Sequence, residues 1–184
     1  IVFYKHIIKL ISYHPTERHT LMFSATMAPK IRTLASKILI EPDEINIAMS
    51  KPAEGVLQAV YLVYDNQKID LINHLISENA DYNSILIFCS TKRKVTELAL
   101  SLKKHKFAAE AISSDLEQTE REKVLQAFKA RRTRILVATD VLSRGIDIKE
   151  INLIINFDVP HDAEDYVHRV GRTARADATG VALT

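Results

Sequence analysis

The stretch DYVHRVGRTAR, residues 165–175, sets Arg169, Arg172 and Arg175 three residues apart around Gly171. Guanidinium groups keep their charge at any ordinary pH. At this spacing they can grip the oxygens of an anion brought to them, or ion-pair with acids on their own surface. A second polar cluster lies in LVATDVLSRGIDI, residues 136–148, where an apolar run ends in Thr139 and Asp140 and the next loop carries Arg144, Gly145 and Asp147. Glycine lets backbone approach a ligand closely, and a nearby carboxylate can accept hydrogen bonds from ribose hydroxyls. The same residues also suit a turn closed by a local Arg–Asp pair, and both readings stay open.

These groups need a frame. Apolar runs rich in β-branched residues, TLMFSA, QAVYLVY, SILIFCS, RILVATD and LIINFD, read as strands buried on both faces, with further strands expected at Ala109–Ser113 and in GVALT. Helical patterns separate most of them: Ala28–Leu39, Gln67–Ser77, Lys92–Lys104, Gln118–Lys129 and Ala163–Val170, with an amphipathic start in IVFYKHIIKLISYHP. This alternation predicts an α/β fold, a mostly parallel sheet with helices on both faces in three layers. In such a sheet the ligand crevice lies outside the carboxyl ends of the strands. Ser24 and Thr26 follow the first strand there, Thr91, Lys92 and Arg93 the third, SSDLEQ the fourth, and Thr139 and Asp140 the fifth. In DLEQTERE, Asp115 with Gln118 resembles a capping box, and Arg121 shares the Gln118 face one turn on.

Composition excludes several classes. With 47% apolar and 26% charged residues over 184 positions, the chain can build a core, and a net charge of +2 leaves any anion-binding surface to local placement. The single Cys89 excludes an internal disulfide and predicts a reducing, cytoplasmic setting. No apolar run approaches the roughly 18 residues of a membrane span. MSKPAEG, residues 49–55, interrupts the pattern and divides the chain into a remnant at 1–50, a linker at 51–57 and an α/β domain at 58–184.

Read together, these segments resemble the second RecA-like domain of a DEAD-box RNA helicase, preceded by the end of the first. FSATM (Phe23–Met27) matches motif III of that family, LIFCSTK (Leu86–Lys92) motif IV and QTER (Gln118–Arg121) the Q-x-x-R element. ATDVLSRGID (Ala138–Asp147) matches motif V and HRVGRTAR (His168–Arg175) motif VI, with NFDVP between these two. Ala174 and Ser114 stand where the family commonly has glycine.

The resemblance implies roles. Arg172 and Arg175 match the arginine fingers that stabilise charge on a transferring phosphoryl group, and Gly145 and Asp147 match contacts to the adenosine moiety of ATP. Thr91, Gln118, Arg121 and Thr139 match groups that hold one RNA strand by phosphates and sugars, without regard to sequence. Ser24, Thr26, Asp140, Arg144, His168 and Arg169 match residues that couple hydrolysis to strand separation.

The implied activity is ATP-dependent RNA unwinding by a monomer, off the membrane, with ATP and RNA held between this domain and the rest of the first domain in cis. None of the four glycines precedes lysine, so the G-x-x-x-x-G-K-[ST] phosphate cradle is not in this chain. PDEI (Pro42–Ile45) reads as a loop rather than a D-E-A-D quartet. Magnesium would therefore be held mainly outside this chain, and the fragment alone should not hydrolyse ATP. The seven histidines lack i, i+3 or i, i+4 pairing, and no metal site is expected among them. A DNA-directed helicase of the same superfamily, or a noncatalytic RNA-binding or docking module, would share the fold.

Overall fold

The computed structural model describes residues 3–24, 27, 29–46, 55–140, 151–173 and 179–184. Ile1–Ala48 and Met49–Thr184 form two compact units. In the first, α1 (Tyr4–Ile11) and α2 (Pro29–Ile38) are joined by a hydrogen bond from Lys37 to the Tyr4 hydroxyl, 3.0 Å. TLMFSA, expected as a buried strand, is not one: residues 20–24 have no ladder, and Leu21 and Phe23 are 80% and 90% exposed. An apolar run becomes a strand only where a neighbour supplies hydrogen-bonding partners, and among the described residues none does so here.

The second unit is built on a parallel six-stranded sheet, ordered β1-β6-β5-β2-β4-β3. Its strands are β1 (Val56–Ala59), β2 (Ile85–Phe88), β3 (Ala109–Ile112), β4 (Ile135–Ala138), β5 (Leu153–Asn156) and β6 (Gly180–Leu183). The helices are α3 (Lys68–Glu78), α4 (Lys92–Lys104), α5 (Gln118–Lys129) and α6 (Ala163–Val170). QAVYLVY contributes only its start to β1. The ladder to β6 ends with Thr184 N–H to Ala59 O and Tyr61 N–H to Thr184 O, and Leu62 beyond it is 96% exposed. Val56 and Leu57, at the end of the expected linker, already belong to the sheet.

Side-chain alternation sorts the core into two layers. Ile85, Ile87 and Cys89 pack with Val95, Leu98 and Leu102 of α4 and with Ile72 and Ile76 of α3. Leu86 and Phe88 pack on the other face with Phe128 of α5 and Val170 of α6. The spacing of the buried α4 positions, Val95, Leu98, Ala99 and Leu102, is one helical stripe. β2 is fully buried because both of its faces are covered.

Register then fixes the site. Phe88 lies level with Ala138 of β4 and Asn156 of β5, and Ala138 with Ile112 of β3. The chain therefore leaves four adjacent strands along one edge, at Cys89, Ser113, Thr139 and Phe157.

At the opposite end of α6, Thr173 bridges Ile151 and donates its hydroxyl to the Ile151 carbonyl. A Cβ on Gly180 would stand 2.0 Å from Thr173 Oγ1 and 2.8 Å from its Cβ. Thr173 is 1% exposed and cannot swing into solvent. Gly180→Ala should therefore destabilise the protein by about 1–3 kcal/mol, the usual range for overpacking. A thermal melt would show it as a drop of several degrees, and an unchanged melt would mean the strand can shift freely.

Candidate functional site

Thr91 caps α4, its hydroxyl accepting the Lys94 N–H at 3.3 Å. The first turn of α4 that follows carries Lys92, Arg93 and Lys94 and no acid, against the usual preference for anions at a helix N-terminus. Two carboxylates from neighbouring loops answer the charge. Asp115, after β3, pairs with Lys92. Asp158, after β5, accepts Lys94 Nζ at 2.5 Å on one oxygen and Ser90 N–H at 2.7 Å on the other. Burial would push the Asp158 carboxyl up, but the Lys94 ammonium and the Ser90 amide hold it below its ordinary value. Its hydrogen bond in turn raises Lys94. Beneath them, burial pushes the Cys89 thiol up to about 12, which leaves it neutral and inert.

The expected capping box does not form. Glu117, not Asp115, occupies the N-cap of α5 and its side chain caps nothing. Asp115 goes instead to Lys92, because an ammonium offers a charge-assisted bond that a backbone amide cannot match. Gln118 and Arg121 do share a face. Arg121 Nη1 donates to Gln118 Oε1 at 3.2 Å, Nη2 to the Leu116 carbonyl at 3.4 Å, and Gln118 Nε2 donates to Glu122 at 2.9 Å. The Arg121 Nε atom is buried without a hydrogen-bond partner.

Arg169 is the centre of the second cluster. It is 3% exposed and forks onto Asp140, Nε to Oδ1 at 2.6 Å and Nη2 to Oδ2 at 2.8 Å. Its Nη1 donates to Asn156 Oδ1 at 3.1 Å and to the Asp158 carbonyl at 2.8 Å, and its guanidinium carbon stands 5.1 Å from the centre of the Phe88 ring. Asn156 donates onward to the Thr184 hydroxyl, 2.9 Å. One side chain of α6 thus ties the ends of β2, β4 and β5 together. Asp158 joins both clusters, with its carboxylate on the α4 loop and its carbonyl on Arg169.

Thr91, Gln118, Arg121, Thr139 and Asp140 are thus brought to one sheet edge, on three adjacent strands about 10 Å across. His168 and Arg172 lie elsewhere. His168 Nε2 is 3.8 Å from Glu164 of its own helix. Arg172 follows the end of α6, its amide bonded to the Arg169 carbonyl at 3.1 Å, beside the Thr173 that bridges the entry to β5. α6 leads away from the strand ends, so Arg172 stands one turn farther from them than Arg169. Ser24 is an exposed residue of the first unit. Thr26, Arg144, Gly145, Asp147 and Arg175 lie outside the described residues. No cluster of three His, Cys, Asp or Glu side chains suited to a metal occurs among the described residues.

Sequence reasoning missed Lys94, Asn156 and Asp158. The available signal was NFDVP, an amide and an acid straight after a buried strand, at the edge where ligand groups collect.

Residues 67–177 match the family described as helicase conserved C-terminal domain. The DEAD-box ATP-dependent RNA helicase CshA of Geobacillus kaustophilus is 43% identical over 99% of this chain, and DEAD-box ATP-dependent RNA helicase 40 of Oryza sativa subsp. japonica is 42% identical over 99%. The chain spans 39% and 23% of those relatives' lengths. Among solved structures, S. cerevisiae Dbp5 bound to RNA and ADP BeF3 superposes with a TM-score of 0.82 at 28% identity, over 97% of this chain and 48% of that one. The E. coli DEAD-box protein SrmB, bound to regulator of ribonuclease activity A, gives 0.66 at 30% identity over 71% of this chain and 76% of that one. A parallel sheet of this order, the motif residues along its carboxyl edge and these likenesses agree: the chain belongs to the helicase conserved C-terminal domain family and, within it, to the DEAD-box proteins.

Proposed function

We propose that this chain is the second RecA-like half, with the last part of the first, of an ATP-dependent RNA helicase that couples ATP hydrolysis to local opening of an RNA duplex. The observation that carries this reading is Arg169, which is buried and ties the edge bearing Thr91, Thr139 and Asp140 to the helix that Arg172 follows. Such a tie lets occupancy of one region be felt at the other. The Dbp5 structure, which holds RNA and a nucleotide analogue, supports both ligands.

In this reading Thr91, Gln118, Arg121 and Thr139 hold the RNA backbone, and Gly145, Asp147, Arg172 and Arg175 face ATP. Ser24, Thr26, Asp140, Arg144, His168 and Arg169 couple the two. ATP supplies a phosphoanhydride whose transfer builds charge for the arginines to meet. Magnesium would be held mainly by the part of the first domain outside this chain. The protein works as a monomer with the rest of its first domain in cis, and the lone free thiol of Cys89 supports a cytoplasmic setting.

The test is strand choice and salt dependence in the full-length protein. ATP-driven unwinding should favour RNA over DNA, because backbone recognition uses the 2′-hydroxyl. Arg121→Ala with Thr139→Ala should weaken RNA binding about equally for unrelated sequences and lower the salt slope by about 1, one phosphate cation being lost. Equal unwinding of DNA would move the chain to the DNA-directed class. No RNA-stimulated hydrolysis in a protein carrying the phosphate cradle would make it a noncatalytic module.

A further inference from the structure

The opposite rim of the sheet carries charge that the motif edge does not use. α4 and α5 pack on different faces, yet both end beside β3 and β4. The following turns meet, since Arg134 and Ile135 donate their amides to the Ala108 carbonyl at 2.8 and 3.0 Å. Those turns and helix ends carry Lys103, Lys104, Lys106, Lys129, Arg131 and Arg132, all exposed. Among the described residues of these turns and helix ends the acid is Glu110, which pairs with Lys103 at 2.9 Å. The next turn, with Glu78 and Asp81, bounds the patch. Arg134 belongs to that boundary, since it donates to the Tyr82, Ile76 and Asn79 carbonyls.

Cations in a last helical turn are ordinary, because they suit the helix dipole. The residues beyond the ends are not. Both helices close with the same motif: Phe107 N–H reaches Leu102 O and Lys106 N–H reaches Lys103 O, and Arg132 N–H reaches Ala127 O and Arg131 N–H reaches Phe128 O. This closure puts one residue in the left-handed region, where glycine or asparagine is favoured. Here it is Lys106 at φ 65 and Arg131 at φ 59. Two neighbouring turns thus each hold a cation in the left-handed region, where a small residue would relax the backbone.

We infer that this rim is a second binding surface for the RNA backbone, about 20 Å from the motif edge by the length of α4, which holds a flanking segment of the same RNA. The inference rests on the RNA reading proposed for the motif edge. It favours nucleic acid over an acidic protein because these turns present cations, and the exposed large apolar side chain beside them, Leu100 at 55%, is a single residue one turn back on α4 rather than a patch. Protein interfaces need such a patch, whereas phosphate recognition needs only placed cations.

The test uses the protein with Lys104→Gln, Lys106→Asn, Arg131→Asn and Arg132→Gln together, with labelled single-stranded RNAs of two lengths as probes. Asparagine accepts the left-handed region, so the melting temperature should hold or rise. Affinity for the long RNA should fall about tenfold or more at low salt, and its salt slope should shrink by about 3. A short RNA that fills only the motif edge should bind as before. Wild-type binding and slope on the long RNA would overturn the inference, as would unchanged RNA binding with lost binding of polyglutamate, which would give the rim to an acidic partner. Arg121→Ala with Thr139→Ala separates the two readings. If it leaves the short RNA unaffected while the rim variant still weakens the long one, the motif-edge assignment fails and the rim stands.

Discussion

Arg172→Ala in the full-length protein is expected to lower RNA-stimulated ATP hydrolysis by about 10²-fold or more, the lower side of what a finger arginine contributes, because in the proposed reading Arg175 shares the role. That factor is about 2.7 kcal/mol of transition-state stabilisation. Charge develops on the transferring phosphoryl oxygens mainly in the transition state, so turnover should fall much more than nucleotide affinity. Lysine should rescue poorly, since a point charge does not reproduce the planar fork. Arg172 is only half-buried at the end of α6. The substitution should therefore change stability by about 1 kcal/mol or less. Steady-state hydrolysis at saturating ATP and RNA, beside a melt of the same variant, decides the matter. Normal turnover would remove the finger role, and a collapsed melt would make Arg172 a scaffold residue.

The elements that sequence displayed well are those whose causes are local. α4, α5 and α6 run over Lys92–Lys104, Gln118–Lys129 and Ala163–Val170, as the periodicity predicts. Thr91 and Asp162 start α4 and α6 with side-chain caps. β2 and β4 are apolar on every residue, and β5 on all but Asn156, because both faces are covered, and such runs need no partner to be recognised. What stayed hidden depends on distant chain. Asp158 meets Ser90 and Lys94 across 68 and 64 positions, and nothing in NFDVP says which cation it will find. Asp115 looks like a cap for the helix beside it until the fold sets Lys92 nearby. TLMFSA has a strand's composition, but ladders come from neighbours, and the described part of its unit supplies none. The motif edge was legible because a parallel sheet puts every strand's exit on one side. That Arg172 lies a turn away was not, because it depends on α6 leading back along β5.

The largest stability effect is expected at the Arg169–Asp140 pair. Asp140→Ala leaves a guanidinium that is 3% exposed without its counter-ion, and breaking a buried pair from one side typically costs about 3–5 kcal/mol. The Asp140 side chain keeps 26% of its surface in water. The lower end, about 3 kcal/mol, is therefore the expectation, a melt lower by roughly 6–12 °C for a chain of this size. Arg169→Lys should recover little of what Arg169→Ala loses, because one ammonium cannot reach both Asp140 oxygens, Asn156 Oδ1 and the Asp158 carbonyl at once. The double variant Arg169→Met with Asp140→Leu removes both charges and keeps the volume over the Phe88 ring. It should lose about 1–3 kcal/mol and no more than Asp140→Ala, because the buried charge leaves with its partner while Asn156 Oδ1 and the Asp158 carbonyl lose a donor. That variant divides scaffold from coupling. If the pair only held the sheet edge together, the stable double variant would keep RNA-stimulated hydrolysis. If the pair carries the signal between Thr139 and Arg172, the double variant should bind RNA and fold normally, yet hydrolyse ATP at the same rate with or without RNA. Full RNA stimulation in it would strip the coupling role from Arg169 and leave only the structural one.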